Sequence, residues 1–224
     1  MNKLVLFDVD RTLIKGLKAH KEAFSEAVKK VYGIDTSIDI LEYHGMTDKQ
    51  LIVEVLKKVG VSERKIKPKV EECAAEMVAS FKKLIGNENI AVLYGVRRLL
   101  ALLEKNNVLM GLVTGNLEAI ARGKMKKIGL NHYFKIGGFG SDDFVRFKLV
   151  KIAIKKAMKY SNFKPDSIFV IGDTPRDIFA GKKAGVKTIG VATGPYSMEQ
   201  LKNAGADFIF KDLKKTNEVL KIIL

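Results

Sequence analysis

Acidic and hydroxyl side chains follow three short apolar runs in the sequence, at the point where each run ends. The first run is followed by two aspartates at alternate positions, the second by a threonine, and the third by two more aspartates. In an open parallel sheet, ligands bind beyond the carboxyl ends of the strands, so side chains placed there would converge on one edge. These residues are Asp8 and Asp10, then Thr114, then Asp173 and Asp177.

The four aspartates would repel each other strongly at one edge unless a cation neutralised them. Asp8 and Asp10 leave an extended strand on the same side, and Asp173 and Asp177 approach from a neighbouring loop. Mg²⁺ prefers carboxylates, water and phosphate oxygens, whereas Zn²⁺ would need His or Cys ligands, and none lies close by in the sequence. An aspartate at a strand end often only caps a helix, but three such clusters in the right order favour a Mg²⁺ site.

The three apolar runs have the length and β-branched content of buried strands, and helical patterns separate the last two. Strands that alternate with helices of this size indicate βαβ units, so we expect an α/β fold with a Rossmann-like, mostly parallel sheet. Gly185 and Gly205 stand where helices should end before two further strands. The predicted strands are 4–7, 108–113, 168–171, 188–191 and 208–210, and the predicted helices are 117–128 and 149–158.

Residues 15–89 have a different pattern, in which amphipathic helical stretches follow each other without an intervening strand. We therefore expect an all-helical domain over 15–89, inserted into an α/β core formed by residues 1–14 and 90–224. Each helix of the insertion is predicted to end near a glycine, at Gly33, Gly60 or Gly86. The three predicted helices are 17–31, 48–59 and 69–85.

The composition is ordinary for a globular chain, with 47% hydrophobic and 29% charged residues. No apolar run approaches the ~18–20 residues of a membrane-spanning helix, and the first residues lack the features of a secretory signal, so we expect a cytoplasmic protein. The single cysteine, Cys73, excludes an intrachain disulfide. The net charge of +15 suggests nucleic-acid binding, but the basic residues are spread over the whole chain, which favours solvated helix faces.

The motifs resemble those of the haloacid dehalogenase superfamily, in particular its phosphoglycolate phosphatase and β-phosphoglucomutase-like branch, over nearly the whole chain. The family's first motif, DxDx[TV], matches the segment from Asp8 to Thr12. Thr114 matches the hydroxyl residue that ends a strand in the second motif, and Gly172 to Asp177 match the fourth motif, GDxxxD. The helical insertion resembles the mobile cap of this family.

The resemblance implies a Mg²⁺-dependent phosphatase in which Asp8 attacks phosphorus and becomes an aspartyl-phosphate. Asp10 would protonate the leaving oxygen and then deprotonate the hydrolytic water. Mg²⁺ would bind the Asp8 carboxylate, the Asp10 backbone carbonyl and Asp173, with Asp177 orienting a metal-bound water or the neighbouring cation. Asp10 also argues against dehalogenation, because a halide leaving group needs no acid and the dehalogenases typically lack this residue.

Thr114 and the backbone amides near Gly115 and Asn116 would hold the other phosphate oxygens. The family's third motif, usually a lysine before the helix that precedes the GDxxxD strand, is less clear here. Arg146 and Lys148 both lie at the start of that helix, and either would serve as the cation beside Asp8 and the phosphate. Arg146 is favoured, since Lys148 is more readily placed on the outer face of the first turn.

Arg11 departs from the family, which commonly has glycine at this position because glycine leaves the following turn free. An arginine there would either add positive charge near the phosphate or extend into solvent. In the cap, Thr47 is predicted to cap the helix that begins at Asp48. His44 and Thr47 would touch the leaving group of the substrate, or else serve only as a surface turn and a cap. The remaining histidines, His20 and His132, are interpreted as structural or surface residues.

A cap that closes over the phosphate excludes large substrates and water, which favours a small phosphorylated metabolite over a phosphoprotein. Sugar phosphates, phosphoglycolate, nucleotides and pyrophosphate would fit. The predicted function is hydrolysis of such a phosphate ester by a monomer or homodimer. Two alternatives stay open from the sequence: a phosphomutase that uses the same aspartyl-phosphate, and a non-catalytic module that uses its basic surface to bind nucleic acid.

Overall fold

The structure, a computed structural model, describes residues 2–16, 18–160 and 164–224. Its strands are β1 (Lys3–Phe7), β2 (Ile14–Lys15), β3 (Ala91–Val92), β4 (Leu109–Thr114), β5 (Ile136–Phe139), β6 (Ser167–Gly172), β7 (Lys187–Val191) and β8 (Phe208–Phe210). Six of them form a parallel sheet in the order β5-β4-β1-β6-β7-β8. The predicted α/β fold with a mostly parallel sheet is therefore confirmed.

Ten α-helices lie within the described residues: the last six alternate with the strands of this sheet and cover both of its faces, and the first four form a separate layer. They are α1 (Lys18–Tyr32), α2 (Asp48–Lys58), α3 (Glu63–Ile66), α4 (Val70–Leu84), α5 (Val96–Lys105), α6 (Glu118–Lys127), α7 (Arg146–Lys159), α8 (Pro175–Lys183), α9 (Met198–Asn203) and α10 (Thr216–Ile223). Successive residues of β1 enter opposite cores: Val5 and Phe7 join one, and Leu4 and Leu6 join the other. Burial on both faces explains why this strand is a continuous apolar run.

The edge strand β5 is missing from the sequence prediction. Its four residues include Gly137 and Gly138, which have little intrinsic preference for strands. The structure gives a packing reason for Gly138, because a Cβ atom at this position would lie 2.0 Å from the carbonyl oxygen of Leu149. The glycine thus allows α7 to pack directly against the sheet.

Helices α1 to α4 form a separate layer with its own apolar core, which includes Phe24, Ile52, Met77 and Phe81. The three predicted helices of the insertion match α1, α2 and α4 to within a residue or two, and Leu17 lies outside the described residues. The short helix α3 was not predicted. Strands β2 and β3 pair antiparallel where the chain enters and leaves this layer. None of the helices in the described ranges is long and apolar enough to cross a membrane.

The helical layer lies against the carboxyl edge of the sheet and is held there by backbone contacts. The Asp48 amide donates to the carbonyl oxygen of Gly115 (2.8 Å), and the Leu117 amide donates to the Asp48 carboxylate (2.7 Å). Glycine at 115 permits this approach, since a Cβ atom there would lie 2.1 Å from the Met46 carbonyl oxygen. The structure is therefore a closed arrangement, with the first turn of α2 placed directly over the loop that follows β4.

Candidate active site

Three neighbouring strands bring together the side chains of the candidate site. Strands β4, β1 and β6 lie side by side, and their carboxyl ends carry Thr114, Asp8 and Asp173. Asp177 lies in the first turn of α8, where its side chain and that of Thr174 form a capping box. Because these ends meet at one edge of the sheet, residues far apart in the sequence are neighbours in the structure.

Asp8, Asp173 and Asp177 form a buried cluster, in which one oxygen from each carboxylate lies within 4.8 Å of the others. Burial, followed by the charge of Asp177, raises the pKa of Asp8 to about 7. Burial and then the charge of Asp8 raise the pKa of Asp173 well above its usual value. Asp173 accepts a hydrogen bond from Thr12 on Oδ1 (3.1 Å), but its Oδ2 is buried without a partner. A buried carboxylate oxygen without a donor is costly, so this donor set suits a hard divalent cation.

Arg146 joins two members of this carboxylate cluster. Its Nη2 donates to Asp8 Oδ1 (2.6 Å) and also contacts Asp177, whose Oδ1 accepts a second hydrogen bond from Nε (2.9 Å). Burial alone would lower the pKa of Arg146, but the charges of Asp177 and Asp8 outweigh it and raise the pKa above its usual value. The guanidinium therefore stays charged and fixes the orientation of both carboxylates.

Lys148, the other predicted cation, lies outside this cluster. Its ammonium group pairs with Asp143 (3.1 Å), and about half of its side chain (51%) is exposed. Residues two positions apart on a helix point in nearly opposite directions, so Arg146 and Lys148 cannot both face Asp8 from the first turn of α7. The structure thus does not support a catalytic role for Lys148.

The Asp10 side chain turns away from the carboxylate cluster and contacts a buried lysine. Both Asp10 oxygens accept from Lys124 Nζ (2.7 and 2.8 Å), and one also accepts from Asn116 Nδ2 (2.9 Å). Burial would raise the pKa of Asp10, but the charges of Lys124 and His20 and the hydrogen bonds outweigh it and lower the pKa. Among the predicted metal ligands, only Asp10 has a side chain outside the cluster, which leaves its backbone carbonyl as the group that could face a metal.

Lys124 is a site residue that the sequence prediction missed. Its side chain is 1% exposed, and besides Asp10 it contacts Asn116 Oδ1 (2.8 Å) and His20 Nδ1 (3.0 Å). His20 Nε2 in turn contacts Asp48 (3.1 Å), so His20 links the first turn of α2 to the Lys124 ammonium, which agrees with a structural role. A signal for Lys124 is present, because it shares the buried face of α6 with Ile120, Ala121 and Met125, where a lysine needs a partner.

The loop after β4 lines the cavity beside Asp8. Thr114 is buried, and its Oγ1 accepts from the Asn116 amide (3.3 Å). Thr114, Gly115 and Asn116 all border the cavity, so the structure brings together the residues predicted to hold phosphate oxygens. The cavity lies between the sheet edge and the helical layer and has a volume of about 70 Å³.

The two predicted cap contacts differ in position. His44 borders the cavity, and its ring lies 4.5 Å from that of Tyr43. Thr47 is fully buried and forms a capping box with Gln50 at the start of α2, as the sequence predicts for a helix cap. Thr47 Oγ1 also donates to the carbonyl oxygen of Phe144 (3.4 Å), so its contacts are structural.

The sequence and the fold both match known hydrolases. A family model described as haloacid dehalogenase-like hydrolase matches residues 5–191. The chain is 24% identical to a phosphoglycolate phosphatase of Vibrio cholerae over 221 residues, with 98% of this chain and 97% of the relative covered. It is 23% identical to pyrophosphatase PpaX of Oceanobacillus iheyensis, with 95% and 94% covered. The structure of CbbY from Rhodobacter sphaeroides in complex with phosphate superposes with a TM-score of 0.74, at 18% identity and with 96% of each chain covered.

This chain belongs to the haloacid dehalogenase-like hydrolase family. The predicted family and the predicted enzyme class, a phosphatase-type hydrolase, are therefore confirmed. The similarity to CbbY extends over nearly the whole of both chains, which agrees with the α/β fold described above.

Arg11 follows Asp10 in the first motif of this haloacid dehalogenase-like hydrolase and has an unusual backbone. Its φ angle is 65°, in the left-handed region that glycine adopts readily and other residues adopt at a cost of roughly 1–2 kcal/mol. Its carbonyl oxygen accepts a hydrogen bond from Thr193 Oγ1 (2.5 Å). The side chain borders the cavity, and its Nε is buried without a hydrogen-bond partner. Arg11 thus keeps the turn that glycine would favour and adds a cation to the cavity wall.

Proposed function

We propose that this hydrolase is a Mg²⁺-dependent phosphatase that cleaves a small phosphate monoester with Asp8 as the nucleophile. The observation that carries the proposal is the convergence of Asp8 with Asp173, Asp177 and Arg146 at the carboxyl edge of the sheet. A carboxylate that lies beside two other aspartates and accepts a hydrogen bond from an arginine is oriented for attack on an anionic phosphoryl group.

The metal would be held by the Asp8 carboxylate, the Asp10 backbone carbonyl and Asp173. Asp177 is already occupied by Arg146 and by the capping box with Thr174, so its role would be to orient the arginine and the metal environment. The unpartnered Oδ2 of Asp173 supports this assignment, because it has no donor within the described part of the protein. When bound, Mg²⁺ would supply positive charge that stabilises the transferring phosphoryl group.

Phosphoryl transfer would proceed in two steps at Asp8. In the first, a bond forms between an Asp8 oxygen and phosphorus while the bond from phosphorus to the leaving oxygen breaks. The protonated form of Asp10, a minor species at neutral pH because Lys124 lowers its pKa, would supply the proton to that oxygen. In the second, water attacks phosphorus and gives its proton to Asp10 while the bond from phosphorus to the Asp8 oxygen breaks, which releases inorganic phosphate and restores the Asp8 carboxylate. Arg146, Thr114 and the loop that follows would position the phosphoryl oxygens, and the closed helical layer would exclude other water.

The substrate would be a small phosphorylated metabolite. The cavity of about 70 Å³ beneath the closed helical layer leaves little room beyond a phosphate and a short leaving group. The names of the relatives, a phosphoglycolate phosphatase and a pyrophosphatase, support substrates of this size. Assay with a hexose 1-phosphate separates hydrolysis from a mutase reaction, since a phosphatase releases inorganic phosphate and a mutase forms the 6-phosphate isomer.

The metal requirement is tested by measuring phosphate release after EDTA treatment and during titration with Mg²⁺. We expect no release without metal and full recovery with Mg²⁺. Because the pKa of Asp8 is raised to about 7 in the metal-free protein, protons compete with Mg²⁺ below that pH. The half-saturating Mg²⁺ concentration should therefore rise as pH falls from 8 to 6, by up to about tenfold per pH unit below 7. Full activity in EDTA would contradict the proposal.

A further inference from the structure

The cavity has two chemically different ends. One end is formed by the carboxylate cluster, Arg146 and the loop after β4, where the proposed function places the transferred phosphoryl group. The other end, which would receive the leaving group, is lined by Asp48, by the apolar Ile38, Met46 and Leu51, and by several basic and aromatic side chains. The basic and aromatic side chains are those of Arg11, His20, Lys21, Tyr43 and His44.

Arg11 differs from the other cations on the cavity wall because they already have acidic or polar partners. Arg146 pairs with Asp8 and Asp177, and Lys21 pairs with Asp39 (2.5 Å). The Arg11 guanidinium makes no ion pair or hydrogen bond with any residue in the ranges 2–16, 18–160 and 164–224, and its Nε is buried. A guanidinium has five N–H donors and stays charged, so a cation in this position lacks a counter-charge.

The backbone fixes Arg11 in this position. The φ angle of 65° is unfavourable for arginine, and the hydrogen bond from Thr193 to the Arg11 carbonyl oxygen holds the turn in place. Strained residues of this kind occur preferentially where a side chain is held for a ligand. Arg11 therefore places a charged side chain on the cavity wall, although glycine would form the same turn with less strain.

Basic side chains lie near one another at this end of the cavity, with Asp39 and Glu42 close by. The pKa of His44 is lowered first by its partial burial and then by the nearby charges of Arg11 and Lys21. Asp39, which pairs with Lys21, and Glu42 act in the opposite direction, so Arg11 is the cation at this end that has no partner within the described residues. An anion at this end would accept a hydrogen bond from the buried, unpartnered Nε of Arg11.

We infer that Arg11, with Lys21 and His44, forms a subsite for a second anionic group, a carboxylate or a phosphate, carried by the leaving group. The inference rests on the proposed phosphatase function and narrows its substrates to small phosphate esters or anhydrides with a second negative charge. A planar guanidinium suits both groups because each offers two oxygens to parallel N–H donors. Neutral sugar phosphates would leave Arg11 unpartnered and would be poorer substrates.

The test compares pairs of substrates that differ in the second anionic group. Phosphoglycolate is compared with 2-hydroxyethyl phosphate, and inorganic pyrophosphate with methyl phosphate, using kcat/KM for the wild type and for Arg11→Gln. We expect the wild type to prefer the anionic member of at least one pair. Arg11→Gln should reduce that preference by about 10- to 100-fold, the usual range for loss of a hydrogen bond to a charged group, mainly through KM.

The preference is a ratio measured within one preparation, so a partly unfolded variant does not alter it. Arg98→Gln is the matched control, because Arg98 is exposed on α5 and does not line the cavity, so it should keep the wild-type preference. The pair with the larger change identifies the second group as a carboxylate or a phosphate. A wild type without preference for either anionic member, or an Arg11→Gln preference equal to that of the wild type, would overturn the inference. Release of phosphate from para-nitrophenyl phosphate in either case would leave the proposed function intact.

Discussion

Replacement of Arg146 with methionine is expected to lower kcat/KM for phosphate release by about 100- to 1,000-fold, the usual effect of removing one preorganised donor from a developing charge. Arg146 holds Asp8 and Asp177 together through hydrogen bonds from Nε and Nη2. Without it, the carboxylate cluster loses its internal cation, and Asp8 loses the contact that orients it. Arg146→Lys would keep the positive charge but would lose the paired hydrogen bonds from two guanidinium nitrogens. Its activity should therefore lie between those of the wild type and Arg146→Met.

Lys148→Met is the matched control for this experiment. Lys148 lies in the first turn of the same helix, but it is half exposed, and among the described residues it pairs with Asp143 alone, a surface contact worth at most about 1 kcal/mol. We therefore expect its kcat/KM to stay close to that of the wild type. The measurement is steady-state phosphate release by each folded variant, with folding checked by circular dichroism. A large loss in Lys148→Met together with a small loss in Arg146→Met would reverse the assignment of the cation.

Replacement of Lys124 with methionine should lower the free energy of unfolding by about 3–5 kcal/mol, the usual cost of removing one partner from a buried ion pair. Lys124 is almost fully buried and contacts Asp10, Asn116 and His20. Methionine fills a similar volume but leaves the Asp10 carboxylate without its counter-charge. The change is measured by urea unfolding at neutral pH, where Asp10 is ionised because its pKa is lowered.

Lys126→Met provides the comparison for Lys124→Met. Both residues lie on α6, but Lys126 is exposed, so the same substitution should change the free energy of unfolding by no more than about 0.5 kcal/mol. Equal stability of Lys124→Met and Lys126→Met would show that the buried ion pair contributes nothing to the folded state.

The parallel sheet could be predicted from sequence because most of its strands are buried on both faces. Continuous apolar runs such as the one in β1 follow directly from that burial, and the polar residues behind them mark the strand ends. Strand β5 lacks this signal, since half of its residues are glycines, and Gly138 allows the close approach of α7. Its position depends on tertiary packing, which a local pattern does not reveal.

The aspartates of the candidate site could also be predicted from the sequence, because they follow these buried strands. Asp8 and Asp173 directly follow apolar runs, so their convergence needs only the rule about strand ends. Lys124 and His20 come from helices in two different layers, and only the three-dimensional structure places them beside Asp10. The choice between Arg146 and Lys148 likewise depended on the direction of each side chain at the first turn of α7.

The central claim is that Asp8 attacks the phosphoryl group with the help of Mg²⁺. Its most direct test is release of para-nitrophenol from para-nitrophenyl phosphate by the wild type and by Asp8→Asn, each with and without Mg²⁺. The asparagine keeps the size of the side chain but cannot form the aspartyl-phosphate. We expect Mg²⁺-dependent release by the wild type and none above background by Asp8→Asn. Release by a contaminant-free Asp8→Asn preparation at a rate near that of the wild type would contradict this account.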